Sequence, residues 1–529
     1  MPKIQRLLLR CAAALCLASA TLLAQQRFTS TTSLLTLDVS VLDRDGNPVT
    51  DLAPSDFVVT LNKEARLVQT MVFLATNTKT TAESVRAAAA GSAPVPSSSA
   101  TASDPSREPD PKLLVIMIDD NSIYPTDSKG LFVAAERFID TIPARDWVGL
   151  ASTSGRMTVN PSLDRAPLMK NLKRAFGWMN DPRRDTKPFV GLMEALEADA
   201  SGGYLLDVIA KYCGVPTGPS KNLALLLAEN QCAHEVDLKV RNNATFARIA
   251  TRNQLDTYAA VINAMASATG VKQLVILTGG TALRPVDSLD FVPVAKAAIA
   301  AGVQITMLME EPGDEVAPPG FVQDQRQMLQ QAETLAEMSG GQFFRVVGQA
   351  DRFYQRVLKS SSAIYRIGVD LPKSVPSDGN YKVEVTVKRP GVKVLSSRYA
   401  APPVPKVMLT PEQQMQHAIT TGEPLYALPV QMAADIAPAR ANSPIAIQVS
   451  IDVPGEMPGP ISGILGVLSP DRVLKTSRHD LIRSGDGKTY ILDLLVPANV
   501  GTYELRFAAA DASGAVGAVT RTIIVKAGL

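Results

Sequence analysis

Apolar residues form short, uninterrupted runs in the middle of the chain and alternate with polar residues towards both ends. The run Leu113–Ile118 is followed directly by Asp119 and Asp120, and the run Leu274–Leu277 is followed by Thr278 and two glycines. Runs of this length are typical of strands buried on both faces, as at the centre of parallel α/β sheets. Because such sheets bind ligands at the carboxyl ends of their strands, Asp119 and Asp120 mark the candidate site.

Helical patterns alternate with apolar strands through the middle of the chain. This alternation predicts the α/β fold class, with a doubly wound, mostly parallel sheet. The predicted helices are Leu131–Ile142, Pro167–Trp178, Val190–Ala200, Asn243–Ala268, Pro293–Ala301, Gln331–Met338 and Asp351–Ser361.

The alternating segments at both ends predict β-sandwich domains that flank the α/β sheet. Towards the N-terminus the clearest strand is Leu35–Val41, and after the helices the strands resume with Lys382–Val387. The last part of the chain predicts an immunoglobulin-like sandwich. Its strands are Ile445–Ile451, Gly463–Leu468, Tyr490–Leu495, Thr502–Ala508 and Val519–Val525.

Composition shifts along the 529 residues predict several domains. Stretches rich in Pro, Ala and Ser lack the apolar residues needed to fold and separate the patterned regions. The predicted segments are a signal peptide at 1–24, an N-terminal β unit at 25–75, a disordered linker at 76–110, the α/β domain at 111–362, a β extension at 363–403, a linker at 404–440 and the β-sandwich at 441–529.

Residues 1–24 have the pattern of a secretory signal peptide. Lys3, Arg6 and Arg10 precede the short apolar stretch Cys11–Ala20, and Ala24 provides a small residue at the expected cleavage site. An uncleaved membrane anchor is the alternative. No later stretch reaches the roughly 18 apolar residues of a membrane helix. We therefore expect a secreted or periplasmic protein of the cell envelope, with no membrane span after signal cleavage.

The formal net charge of +2 is close to balance. A balanced chain argues against a dedicated nucleic-acid binder. Lys170, Lys173 and Arg174 form a basic patch with Arg183 and Arg184. We interpret this patch as the solvated face of the predicted helix.

Cys213 and Cys232 are the cysteines that remain after signal cleavage, and they lie in a segment that reads as an irregular insertion between two helical regions. An even pair in an exported chain predicts a disulfide bond. With His234 nearby, a zinc site is the alternative.

The central segment resembles a von Willebrand factor type A (VWFA) domain, and the chain is more closely similar to the acidobacterial VWFA-related family of exported proteins. The order of several short stretches carries this resemblance. They are Val41–Val49, Asp56-Phe57, Leu114–Asp120, Leu274–Gly280, Ser360–Gly368, Asp378–Lys382 and Val392–Val394.

The resemblance implies one divalent cation, magnesium or calcium, at the top of the sheet, with an open position for a partner's carboxylate. Asp119 matches the first ligand of that family's site. Asn121 and Ile123 stand where the family has serines, and Gly279 stands where it has an aspartate. Thr186 occupies the approximate place of the family's threonine ligand.

The resemblance therefore implies a degenerate metal-ion-dependent adhesion site. Asp120 and Ser122 add oxygens, but the set allows at most weak Mg²⁺ or Ca²⁺ binding, and we expect no cofactor. The alternative role for Asp119, which we favour, is to cap the following loop by accepting hydrogen bonds from its backbone N–H groups.

The common motifs of catalysis are absent from the sequence. It contains no Gly-x-Ser-x-Gly elbow, no His-Glu-x-x-His and no phosphate loop. We therefore expect a non-enzymatic, protein-binding or adhesion-type module of the cell envelope, whose partner the sequence does not identify. The alternatives are a hydrolase with unrecognised catalytic residues and a purely structural envelope component.

Overall fold

The computed structural model describes residues 34–75, 111–125, 129–179, 189–216, 222–268, 270–311, 321–372, 381–400, 409–437, 445–454, 460–485, 487 and 489–525. The predicted signal peptide, the linker at 76–110 and Thr186 lie outside the described residues.

The described residues contain 22 strands. They are β1 (Leu34–Leu42), β2 (Phe57–Leu61), β3 (Glu64–Arg66), β4 (Val68–Ala75), β5 (Leu113–Ile118), β6 (Trp147–Ser152), β7 (Val159–Ser162), β8 (Lys272–Leu277), β9 (Val303–Glu310), β10 (Gln342–Val346), β11 (Ala363–Asp370), β12 (Tyr381–Val387), β13 (Lys393–Leu395), β14 (Tyr399–Ala400), β15 (Leu425–Tyr426), β16 (Gln431–Ile436), β17 (Ala446–Pro454), β18 (Ile461–Leu468), β19 (Leu474–Arg483), β20 (Thr489–Pro497), β21 (Gly501–Ala510) and β22 (Val516–Val525).

Ten α-helices lie in the same residues. They are α1 (Lys129–Thr141), α2 (Ala166–Leu172), α3 (Leu192–Ala200), α4 (Gly202–Cys213), α5 (Leu223–Glu229), α6 (Gln231–Met265), α7 (Val292–Ala301), α8 (Phe321–Met338), α9 (Asp351–Ser360) and α10 (Pro411–Thr421). None of these helices combines the length and the apolar character that crossing a lipid bilayer requires.

One six-stranded mixed sheet, in the order β10-β9-β8-β5-β6-β7, carries the candidate site. Strand β7 pairs antiparallel with β6, and the other neighbours pair in parallel. All six residues of β5 are buried, and alternate side chains enter two different hydrophobic cores. Because Ile118 pairs with both Leu277 and Ser152, the carboxyl ends of β5, β8 and β6 lie at the same edge of the sheet.

Two four-stranded antiparallel sheets bring together segments that are far apart in the sequence. Their orders are β13-β1-β11-β4 and β14-β12-β2-β3, and their side chains share one core. The segments predicted as a separate N-terminal β unit and a β extension therefore build one folded unit. Strand alternation revealed the strands but not their partners, because pairing across some 300 residues leaves no local signal.

An eight-stranded antiparallel sheet follows, in the order β15-β22-β21-β18-β19-β20-β17-β16. Side chains from β16 and β22, near its two ends, enter the same core, so the sheet is curled. Helix α10 and strands β15 and β16 fall within 404–440, so much of that predicted linker is folded. The sequence pattern did not predict strand β19, because its side chains are mostly polar and exposed and so do not alternate between apolar and polar.

The predicted fold class is wrong for this chain. We expected a doubly wound, mostly parallel sheet flanked by two β-sandwiches, including an immunoglobulin-like one. The described strands instead form one mixed sheet of six strands and three antiparallel sheets of four, four and eight strands, the largest of them curled. The prediction gave too much weight to the strand–helix alternation of one segment, and it did not foresee how the terminal strands combine.

Two local predictions also need correction. The cysteine-containing segment is largely helical, because residues 202–213, 223–229 and 231–265 form α4, α5 and α6. The predicted helix Pro167–Trp178 ends at Leu172, and the chain beyond it bonds to another loop.

The predicted disulfide bond between Cys213 and Cys232 is formed. The sulfur atoms are 2.02 Å apart, and the bond links the end of α4 to the start of α6. Sulfur atoms joined in a disulfide bond are not available as thiolate ligands. The alternative of a zinc site formed by these cysteines with His234 is therefore excluded.

Candidate functional site

Three loops meet at the carboxyl end of the mixed sheet. They follow β5, β6 and β8, and we refer to them as the carboxyl-end loops. Helix α6 passes beneath them and contributes the side chains of Gln254 and Tyr258. Asp119 and Asp120 lie at the base of the first loop and are 1% and 0% exposed.

The Asp119 carboxylate is surrounded by hydrogen-bond donors of the protein. Oxygen Oδ2 lies within hydrogen-bonding distance of four groups, and Oδ1 accepts from a fifth. The groups and distances are Ser122 Oγ at 2.5 Å, Gln254 Nε2 at 2.5 Å, Thr278 Oγ1 at 2.8 Å and Tyr258 Oη at 3.0 Å for Oδ2, and Thr153 Oγ1 at 3.0 Å for Oδ1. One side chain thus ties together all three carboxyl-end loops and helix α6.

Burial and hydrogen bonding act on the Asp119 pKa in opposite directions. Desolvation raises this pKa above its ordinary value, and hydrogen bonds from Ser122, Gln254 and other donors oppose the rise. Burial also raises the pKa of Tyr258 well above its usual range, so its hydroxyl keeps its proton and donates to Asp119.

The Asp120 side chain fixes the loop that follows β6. Its Oδ1 accepts from the Ser154 backbone N–H at 3.0 Å, and its Oδ2 accepts from Ser154 Oγ at 2.5 Å. Thr153 Oγ1, whose one proton is shared with Asp119, lies 3.0 Å from Asp120 Oδ1. The Asp120 carbonyl accepts a further bond from the Trp178 N–H at 2.7 Å. Asp120 therefore holds two separate segments in place, the loop after β6 and the segment around Trp178.

Gly279 has a steric reason for its identity. Its N–H donates to Ser122 Oγ at 2.8 Å, and a Cβ at this position would lie only 2.0 Å from the Ser122 carbonyl oxygen. The close approach of two loops therefore demands glycine here, and any aspartate would displace the loop after β5.

The described residues do not fit a divalent cation. Protein donors surround the Asp119 carboxylate, Ser122 Oγ is engaged with Asp119 and with the Gly279 N–H, and the Ile123 side chain is packed in the core. Asn121 is exposed, and Gly279 has no side-chain oxygen to offer beside the buried Asp119 carboxylate. Within the described part of the chain, no three His, Cys, Asp or Glu side chains form a metal-binding group.

An exposed aromatic pair that the sequence pattern did not predict lies beside this site. Phe176 and Trp178 are 44% and 42% exposed, with ring centroids 4.2 Å apart. The guanidinium of Arg156 lies 3.6 Å from the centroid of the Trp178 ring. The periodic apolar residues had suggested a helix through Trp178, but Gly177 in that stretch was a usable breaker signal.

Gly177 explains why the helix gives way to this arrangement. A Cβ on Gly177 would lie 2.0 Å from the Ile123 carbonyl oxygen, which accepts the N–H of Met179 at 3.0 Å. With the Trp178–Asp120 bond, this contact holds residues 177–179 against the loop after β5. Trp178 is consequently anchored by its backbone while its side chain faces solvent.

A second buried charge lies at the opposite end of β5. Lys112 is 3% exposed, and its Nζ donates to Gln273 Oε1 at 2.5 Å and to Ser361 Oγ. Burial lowers the Lys112 pKa to about 7, against an opposing contribution from Asp146. Both acceptors are neutral groups in the interior.

A third buried charge caps helix α3. Asp324 accepts the backbone N–H groups of Met193 at 2.7 Å and Leu192 at 3.0 Å. Burial raises its pKa to about 6, and these hydrogen bonds limit the rise. A Cβ on Gly191 would lie 2.3 Å from the Asp324 carboxylate, so glycine permits this approach.

Comparisons with known proteins leave the family unassigned. No family model matches the chain, and no curated protein matches it. Among solved structures, beta-glucosidase 3B from Thermotoga neapolitana in complex with alpha-D-glucose is similar over 50% of this chain, with 10% identity and a TM-score of 0.13. The similarity spans 40% of that protein's length, and so low a TM-score supports no conclusion. The resemblance to the acidobacterial exported family stays a prediction.

Proposed function

We propose that this protein is an exported, non-catalytic module of the cell envelope that binds a protein partner through its carboxyl-end loops. The observation that carries the proposal is the combination of buried anchors and exposed contact groups. Asp119 and Asp120 are almost fully buried, whereas the adjacent Asn121, Arg156 and Trp178 are exposed.

Rigid presentation favours binding. The Asp119 and Asp120 hydrogen bonds hold the loops before any partner arrives, so less conformational freedom is lost on association. Bonds to Asp120 and Ile123 restrain the backbone around Trp178 in the same way.

The exposed side chains have the composition of an interface centre. Trp and Arg are enriched among the residues that contribute most to protein–protein affinity. Here Arg156 stacks on Trp178 at 3.6 Å, which aligns its charged group and reduces the entropy lost on binding. Asn121 adds an exposed amide that both donates and accepts hydrogen bonds.

We further propose that no divalent cation takes part. In this account Asp119 is a structural anchor, and a partner reads the shape and hydrogen-bonding groups of the loops. The protein donors around its carboxylate support this role over metal ligation.

Export remains part of the proposal. The Cys213–Cys232 disulfide supports an oxidising compartment, because such bonds persist mainly in exported proteins. Mass spectrometry of the protein recovered from its host should give an N-terminus near Gln25. Recovery of a membrane-free protein that still begins at Met1 would refute this element.

A pull-down from envelope extract tests the binding surface. We expect Trp178→Ala to reduce partner recovery about tenfold or more, since truncation of an interface anchor commonly costs over 1 kcal/mol. Ile482→Ala is the matched control, because Ile482 is 72% exposed on β19, in the eight-stranded sheet. A chelator should change nothing. Undiminished recovery with a folded Trp178→Ala variant would contradict the proposal.

A further inference from the structure

We infer that the partner segment bound at the carboxyl-end loops is an acidic stretch of polypeptide that carries an apolar side chain. This inference rests on the proposed function and specifies the partner's chemistry. The surface that supports it, here called the basic-aromatic patch, consists of Arg156, Lys170, Lys173, Arg174, Phe176 and Trp178, all of them exposed.

Geometry makes the basic-aromatic patch continuous. Arg156 lies over Trp178 at 3.6 Å, and Phe176 lies 4.2 Å from Trp178 between ring centroids. Lys173 and Arg174 lie three and two residues before Phe176 in the chain, so their Cα atoms lie within about 11 Å of it. Lys170 is on the last turn of α2. The backbone N–H of Lys173, just after the helix, donates to the Met169 carbonyl of that turn.

Within the residues that the structure describes, no carboxylate forms an ion pair with any of the four cations of the basic-aromatic patch. Asp120 is buried beneath it and bonds to Ser154, while Asp164 accepts the Ala166 N–H at the start of α2. Four cations around two exposed rings attract a surface of the opposite charge.

The arrangement of the rings favours a polypeptide over an acidic polysaccharide. A sugar stacks on an open aromatic face, yet the Arg156 guanidinium already lies over the Trp178 ring and Phe176 packs at 4.2 Å. Arg156 and Phe176 thus already occupy part of the Trp178 ring surface, and the exposed parts of both rings suit contact with an aliphatic or aromatic side chain. Carboxylates on either side of that side chain would reach Arg156 and the Lys173–Arg174 pair.

Site-specific photo-crosslinking tests the inference. The crosslinker p-benzoylphenylalanine replaces Trp178 in one full-length variant and Ile482 in another, and each is irradiated in envelope extract. Mass spectrometry then identifies the attached peptides. We expect Trp178 to capture one defined partner segment in which Asp and Glu flank an apolar residue, and we expect the Ile482 control not to capture it.

Charge reversal provides the second arm, with unsubstituted Trp178 and the captured partner. The Lys173→Glu/Arg174→Glu double variant should weaken binding about tenfold or more at low ionic strength, and added salt should reduce the difference. Lys475→Glu is the matched control, because Lys475 is exposed on β19.

The outcomes separate the two proposals. A defined partner segment without acidic residues, or equal binding by the double variant, overturns the inference while the proposed function stands. Capture of a polysaccharide at Trp178 overturns both. Equal and unspecific labelling from Trp178 and Ile482 also overturns both, because no protein then binds the carboxyl-end loops.

Discussion

The two ends of strand β5 each bury a charged side chain, and the two are satisfied in different ways. At the carboxyl end, Asp119 is surrounded by five donors from three loops and helix α6. At the amino end, Lys112 bonds to only two neutral acceptors, Gln273 and Ser361. The first charge organises segments that reach the surface, whereas the second is enclosed in the interior.

This difference shows what a buried charge can contribute. Burial alone is costly for a charged group, because it favours the neutral form. It lowers the pKa of Lys112 and raises the pKa of Asp119. Only at the carboxyl end does the charged group link several loops of the chain, so that end has a preorganised surface. At the amino end, the buried Lys112 affects the stability of the protein and the pH dependence of that stability. Its hydrogen bonds hold no exposed loop.

Among the substitutions compared at a single pH, removal of the Asp119 carboxylate should have the largest effect. Asp119→Ala leaves buried donors such as Gln254 and Tyr258 without their acceptor, so we expect a loss of about 4 kcal/mol in the free energy of unfolding. Urea denaturation followed by tryptophan fluorescence reports on this region, because the two tryptophans are Trp147 and Trp178. Asp256→Ala, at an exposed carboxylate, should change stability by no more than about 0.5 kcal/mol.

A methyl group at Gly279 should disrupt the contact between the loops with a smaller effect. Gly279→Ala places a Cβ 2.0 Å from the Ser122 carbonyl oxygen, so overpacking should cost about 2 kcal/mol and weaken partner binding. Gly485→Ala is the control, since nothing lies within 4 Å of its added Cβ. Equal stability of the two variants, measured by urea denaturation, would remove the steric account of Gly279.

At the amino end, Lys112 should make the free energy of unfolding depend on pH. Its folded-state pKa of about 7 lies below the ordinary 10.5, so the unfolded chain binds more protons between these values. The free energy of unfolding should therefore fall by about 1.4 kcal/mol per unit as pH is lowered through this window, and level off below pH 7. Lys112→Met should abolish that slope, and an unchanged slope would show that another group produces it.

Asp324 gives an opposite and smaller pH effect. Its folded-state pKa of about 6 lies above the ordinary 3.8, so the native state holds the proton more tightly. The stability from this group is full below pH 3.8 and is lost as pH rises through 6, with about 1 kcal/mol of the fall between pH 5 and 6. Asp324→Asn keeps an oxygen for the α3 backbone and should remove this fall in urea titrations at each pH. A persistent fall would exclude Asp324 as its source.

Sequence patterns located the strands better than their partners. Leu113–Ile118 is a buried strand that ends directly before Asp119, as its apolar run predicted. The sequence pattern did not predict the pairing of β11 with β4, because some 300 residues separate the two strands. Gly279 looked like a lost ligand, since only the approach of the Ser122 carbonyl reveals why glycine is needed. Trp178 was hidden in a helical pattern that the Gly177 contact interrupts.

Isothermal titration calorimetry with magnesium, calcium and manganese tests the central claim most directly. If Asp119 is an anchor held by protein donors, none of these ions should give a saturable heat at concentrations up to about millimolar, where weak extracellular cation sites are filled. The melting temperature should also stay constant. A saturable heat in the native protein that disappears in Asp119→Ala, accompanied by a rise in melting temperature and by cation-dependent partner binding, would contradict the account and identify Asp119 as a metal ligand.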